Sequence, residues 1–208
     1  MTTTADTSPR RRAGLPWRAQ VYLLAVSAAA IGGYLAAKPA SAPSAADWRL
    51  AALLGALAAV AQLFVVVTPR NQSYHLTPGI VIAAAILLPA PLVALVIVVQ
   101  HLTEWLKARY PWFIQTFNIA NFAIAALLAG RVFDLRGAFL GSYADKDVGF
   151  FLAGLAAAIA FVAVQHTLLA LVLKFARGHT LVGTGLFAFQ SLSMDLVLAV
   201  IGVVVASL

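Results

Sequence analysis

The sequence predicts an all-α fold, a polytopic transmembrane helix bundle of about seven spans with a proline-broken short hairpin in its middle. Three observations predict it. Of 208 residues, 62% are hydrophobic and 10% charged, against roughly 25% charged in soluble domains. Mean hydropathy is +0.94. The apolar residues fall in runs close to the 20 or so that cross hydrocarbon, and the runs are apolar on every side rather than along one stripe. A water-soluble domain is excluded on these grounds.

Residues 1–15 are polar and carry Arg10, Arg11 and Arg12, and they read as a basic cytoplasmic tail; residues 16–208 read as a single transmembrane domain. The first run, Val21 to Ala37, follows directly. Ala40-Ser41-Ala42 resembles a cleavage site, but the run exceeds the usual signal-peptide core of about 7–15 residues, which favours a retained span. After the connector Lys38 to Ala46, a second run extends from Asp47 to Thr68 and stops at Pro69. Arg70 to Pro78 is polar and includes His75, which reads as a solvated or headgroup-level histidine.

Gly79 to Leu88 is apolar but short, and Pro89-Ala90-Pro91 separates it from a helix reaching Arg109. Each proline lacks an amide donor and constrains its predecessor. One unbroken helix over these 31 residues would run about 46 Å, beyond a crossing of about 30 Å. A helical hairpin is therefore expected, its first arm half-spanning or tilted. Further spans are expected at Trp112 to Phe133, Val148 to Phe175 and Gly183 to Leu208. Trp17, Trp48, Trp105 and Trp112 lie near span ends, as an interfacial belt requires.

The formal net charge of +7 comes from short basic clusters between apolar runs, so it is a topology signal, and no nucleic acid is expected as a partner. With the N-terminus inside, that side holds nine basic residues: Arg10, Arg11, Arg12, Arg18, Arg70, Lys107, Arg109, Lys174 and Arg177. The other side holds five: Lys38, Arg49, Arg131, Arg136 and Lys146. The excess places the N-terminus in the cytoplasm of a multi-pass inner-membrane protein. With seven spans, Leu208 lies outside.

Ionisable and amide side chains within the spans carry the chemical information, because in hydrocarbon they need partners and face the bundle interior. Gln115, Asn118 and Asn121 recur every three residues and share one helical face. They serve as interhelical hydrogen-bonding glue or as the lining of a ligand site. Gln100, His101 and Glu104 form a second cluster near the end of the preceding helix. A His/carboxylate pair at i, i+3 occurs in helical di-metal sites, but those sites draw carboxylates from several helices, so no metal is expected. Gln165 and His166 lie mid-way along the sixth span. Asp195 is nearly central in the last, either protonated or paired with a polar group of another helix. Gly149, Ala153 and Ala157 recur every four positions and admit close approach of another helix.

The chain has no cysteine, which excludes disulfides and thiol nucleophiles. It has no Walker-type phosphate loop, HExxH, GxSxG or GxGxxG. No catalytic residue, cofactor or enzymatic activity is expected within it.

Three stretches carry a resemblance: Leu15 to Val26 (LPWRAQVYLLAV), Tyr74 to Pro89 (YHLTPGIVIAAAILLP) and Phe117 to Phe133 (FNIANFAIAALLAGRVF). Together they resemble the MASE-like multi-helix membrane input modules that precede GGDEF or HD-GYP domains in bacterial cyclic-di-GMP signalling proteins. In that group a basic R-x-x-Y opening, a proline-punctuated hairpin and an F-N-x-A helix opening recur in this order. Phe117, Asn118 and Ala120 fit the last motif; Arg18 to Val21 reads R-A-Q-V, with Tyr22 displaced by one. No output-domain segment lies within the 208 residues, so the resemblance implies signal input without catalysis.

The function expected is thus a bacterial membrane sensor in which Gln115, Asn118, Asn121, His166 and Asp195, with Gln100, His101 and Glu104, bind a small ligand or transduce membrane state. Its partners would be the lipid bilayer and a second copy, or a fused or associated cytoplasmic signalling domain. The alternative is a small-molecule transport subunit resembling the substrate-binding membrane component of an energy-coupling vitamin transporter.

Overall fold

The structure, a computed structural model, describes residues 15–37, 41–67, 73–143, 147–180 and 182–208. The basic N-terminal tail as far as residue 14, together with Lys38, Arg70, Asp145 and Lys146, lies outside the described residues. Among the described residues the chain forms eight helices and one small hairpin: α1 (Trp17–Ala36), α2 (Ala45–Leu63), β1 (Val65–Val67), β2 (Ser73–His75), α3 (Thr77–Leu87), α4 (Ala90–Ala108), α5 (Trp112–Asp134), α6 (Arg136–Leu140), α7 (Asp147–Arg177) and α8 (Phe189–Ala206). Six of them, α1, α2, α4, α5, α7 and α8, are long and apolar enough to cross a membrane.

Local chemistry fixes most of the helix ends. α2 starts at a capping box: the Ser44 amide donates to the Asp47 carboxylate at 2.7 Å, and the Asp47 amide donates to the Ser44 hydroxyl at 3.2 Å. Such a cap satisfies amides that a helix start leaves free. Pro16, Pro89 and Pro111 stand immediately before α1, α4 and α5. Pro78 sits in the first turn of α3, where its missing amide would have had no helical partner anyway. α4 closes on Arg109, whose φ is 52° and whose amide donates to the Trp105 carbonyl at 2.8 Å. Trp17 and Trp112 are the first residues of α1 and α5, Trp48 lies in the first turn of α2 and Trp105 in the last of α4.

Two spans differ from expectation. The second was expected to continue to Thr68, but α2 ends at Leu63, and Val65–Val67 leaves as a strand antiparallel to Ser73–His75, with Val66 opposite Tyr74. Three successive β-branched residues favour extended backbone over helix. The last span was expected to start at Gly183; residues 182–184 form a single 3-10 turn and α8 starts only at Phe189. The proline-broken hairpin is present, and its first arm is half-length: α3 has 11 residues, about 16 Å at 1.5 Å each.

The half-length helix is the most enclosed. Thr77, Pro78, Gly79 and Val81 through Ala84 are buried, and α8 crosses α3 backbone to backbone. A Cβ on Gly79 would stand 2.7 Å from the Leu198 carbonyl oxygen, and Gly202 faces Gly79 directly across the crossing. Lipid tails are as apolar as leucine, so helices here gain by close packing of small residues. Alanines such as Ala58, Ala125, Ala129, Ala157 and Ala158 fill the interior, with Phe161, Ile82 and Ile97 among the largest buried side chains. Large apolar residues such as Leu24, Leu35, Leu53, Ile159 and Ile201 point outward, the composition a lipid-facing surface requires. Gly149, Ala153 and Ala157 are themselves buried in the chain's own core.

One end of the bundle gathers the start of α1, the ends of α2, α4 and α7, and the starts of α5 and α8. Lys107 ties two of these by donating to the Leu63 carbonyl at 2.8 Å. At the opposite end Tyr34 and Ala37 surround a recess with Leu88, Pro89, Arg131 and Asp134.

Candidate functional site

A polar cavity of about 370 Å³ opens within the bundle toward the first of these ends. Gln62 reaches it from the last turn of α2, Thr77 and Pro78 from the start of α3, and His101 and Glu104 from the last two turns of α4. Asn118, Asn121 and Phe122 enter from α5, Gln165 and His166 from α7, and Ser191 and Asp195 from α8, while Thr184 to Leu186 close one side. Residues from six helices therefore converge on one space. Its volume is at the lower end of the range of about 300–1,000 Å³ for small-molecule sites.

Its two walls each hold a histidine beside a carboxylate. On the α7/α8 wall, His166 Nε2 lies 2.7 Å from Asp195 Oδ2, and His166 Nδ1 lies 2.8 Å from the Leu186 carbonyl oxygen. A carbonyl only accepts, so Nδ1 carries a proton. The Nε2···Oδ2 contact then needs a second proton, held either on the imidazole or on the carboxyl. The pair thus keeps one exchangeable proton between two helices.

On the α4 wall, His101 Nδ1 stands 3.7 Å from Glu104 Oε2, too far for a hydrogen bond. The His101 ring meets Phe122 edge-on at 4.8 Å between centroids, and neither ring nitrogen has a hydrogen-bond partner. Gln62 and Tyr110 approach Glu104. Burial, and after it the neighbouring Glu104, push the Tyr110 phenol in the α4–α5 connection above its ordinary range.

Of the eight residues singled out from sequence, His101, Glu104, Asn118, Asn121, His166 and Asp195 line this cavity. The two clusters that looked separate, one on α4 and one on α5, face each other. Gln115 and Gln100 do not line it. The Gln115 amide donates to the His101 carbonyl, so it clamps α5 to α4 behind the wall. Gln100 is fully buried, and neither its Nε2 nor its Oε1 has a partner.

Sequence reasoning missed Gln62, Thr77, Thr184 and Ser191. Gln62 had a signal, as the lone amide in the apolar stretch from Leu50 to Val67; the others are small hydroxyls at helix starts and turns, where such residues are ordinary. Among the described residues no three His, Asp or Glu come together as metal ligands. An apolar groove between α1, α5 and α7, lined by Leu23, Phe113 and Val172, shares Asn118 and Leu169 with the polar cavity.

No protein-family model, curated protein or solved structure matches this chain.

Proposed function

We propose that this chain is a bacterial inner-membrane signal-input module of the MASE-like kind, with a cytoplasmic N-terminus, whose polar cavity binds a small ligand and whose helix shifts carry the signal. One observation carries the reading: a cavity lined by amides, hydroxyls and two His/carboxylate pairs, inside an otherwise apolar bundle. Polar groups in hydrocarbon are costly unless partnered, and His101, Gln62, Asn121 and Gln165 retain unpartnered polar atoms there. Structural glue would leave them satisfied. Among the described residues, Arg18, Lys107, Arg109, Lys174 and Arg177 gather at the cavity's end against Arg49, Arg131 and Arg136 at the other, which supports a cytoplasmic opening.

The signal would leave through α8 and α4, which bound the cavity on opposite walls, toward a fused or associated cytoplasmic domain or a second copy. The test uses the purified chain in lipid nanodiscs, challenged with fractionated small-molecule extracts. Emission of Trp105 and Trp112, which flank the α4–α5 turn, is expected to change saturably with one fraction. Asn118→Ala/Asn121→Ala should abolish the response. No response to any fraction, in a protein whose cavity side chains are reachable from water, sinks the sensor reading.

A second reading has its own observation. α3 is half-length, begins at the cavity and is preceded by non-helical chain, and transporters build midplane substrate sites on such interrupted helices. A transport subunit predicts uptake of the bound molecule in cells, dependent on a separate ATPase; a sensor predicts binding without uptake.

A further inference from the structure

The cavity's lining specifies the charge of what it admits. Among the described residues that line it, the ionisable side chains are His101, Glu104, His166 and Asp195. The His166–Asp195 pair, with a proton on Nδ1 and another shared between Nε2 and Oδ2, is neutral overall, so with Glu104 ionised the four groups carry a net charge of −1 while His101 is neutral and 0 when it is protonated. Beyond the lining, Tyr110 approaches Glu104 and Tyr22 of α1 donates to the Leu168 carbonyl on α7, and neither phenol adds a cation; Arg177 lines the adjoining apolar groove rather than the cavity. Lys107, the closest lysine in sequence, is turned to the Leu63 carbonyl.

A second, independent feature points the same way. Gln62 Oε1, Asn121 Oδ1 and Gln165 Oε1 are acceptors without partners, and Gln62 and Asn121 are more than nine-tenths buried. Buried acceptors in native structures are nearly always satisfied, and a ligand carrying N–H groups would satisfy these. Phe122 adds a ring to the same lining, and an aromatic face attracts a desolvated cation.

Resting on the reading of this cavity as a ligand site, we propose that its ligand is a small organic cation of the ammonium class, carrying its own N–H donors. The ammonium group lies between the Glu104 and Asp195 walls and donates to the amide oxygens. Anionic ligands such as carboxylates and phosphates are disfavoured, because among the described lining residues there is no lysine or arginine to bind them and a charge on His166 is already neutralised by Asp195.

The chain has no native cysteine, so a single introduced thiol reports on the cavity without background. Ser191→Cys places one a helical turn from Asp195, and Asn118→Cys places one on the facing helix in case the first variant does not fold. Each is reacted, in the full chain, with the 2-aminoethyl, methyl and 2-sulfonatoethyl methanethiosulfonates, which are cationic, neutral and anionic. The thiolate attacks the sulfenyl sulfur, forms a mixed disulfide and releases methanesulfinate. Rates are divided by those at Ser207→Cys, an exposed position at the far end of α8.

The normalised rate is expected to fall in the order ammonium, neutral, sulfonate. The ammonium reagent should exceed the sulfonate by at least about tenfold, as one nearby unit charge produces at intermediate dielectric. Glu104→Gln should shrink that ratio. If the neutral or anionic reagent reacts as fast as the ammonium, the cation assignment is overturned while the cavity stands as a site. If none reacts at either cavity position while Ser207→Cys is modified, the cavity is closed, and both the assignment and the ligand-site reading fall.

Discussion

His166 and Asp195, 29 residues apart, join α7 to α8 through an Nε2···Oδ2 contact of 2.7 Å. The ring is held from its other side by the Leu186 carbonyl, so its orientation is fixed by two elements at once. Hydrogen bonds between membrane helices contribute about 0.6–2 kcal/mol. A double-mutant cycle with His166→Ala and Asp195→Ala, read by denaturant unfolding in mixed micelles, should return a coupling within that range. Asp195→Asn, which keeps a donor toward Nε2, should be milder than Asp195→Ala. Additivity of the two alanine variants would show that the contact contributes nothing.

The same geometry predicts where the imidazole proton sits. Because the Leu186 oxygen can only accept, Nδ1 of His166 must be protonated in the neutral ring as well as in the cation. Nitrogen-15 NMR of the labelled histidine in nanodiscs should show a protonated Nδ1. A resonance for a bare Nδ1 with hydrogen on Nε2 alone would falsify the arrangement and remove the basis for the proton held with Asp195.

Most of the helix order was legible because membrane length and proline position are local signals. Pro89 and Pro91 marked the break between α3 and α4, and the tryptophans marked the ends of α1, α2, α4 and α5. What the sequence hid depends on tertiary pairing. Val65–Val67 read as the end of a span because three valines are as apolar as a helix needs; their pairing with Ser73–His75 decides otherwise. The site was legible residue by residue but not as one place. The spacing of Gln115, Asn118 and Asn121 put them on one face of a single helix, and α5 carries all three, yet only the packing of α5 against α4 sends Gln115 to a backbone carbonyl and Asn118 and Asn121 to the cavity.

The α3–α8 crossing should tolerate no side chain at its centre. Adding a methyl group at Gly79 or Gly202 drives a Cβ into backbone of the facing helix, which cannot move aside as a side-chain tip would. Overpacking of this kind costs about 1–3 kcal/mol. Gly79→Ala and Gly202→Ala should each lower stability by that order in the same unfolding assay. Gly32→Ala on α1, where a Cβ meets nothing within 4 Å, serves as the comparison and should be neutral or slightly stabilising. Equal effects at all three positions would mean that helix propensity, not the crossing, sets the outcome.

Gln100 and Gln115 provide opposite predictions from the same residue type. Gln115 is buried and its amide clamps α5 to the His101 carbonyl on α4, so Gln115→Leu removes an interhelical bond and should destabilise by about 0.6–2 kcal/mol. Gln100 is fully buried with both amide atoms unpartnered. Burying a polar group without a partner costs about 1–3 kcal/mol, and replacing it by an apolar side chain of similar volume recovers part of that. Gln100→Met should therefore leave stability unchanged or raise it. Should Gln100→Met instead destabilise as strongly as Gln115→Leu, Gln100 must be hydrogen-bonded within the folded protein, through a polar contact that the present arrangement does not contain.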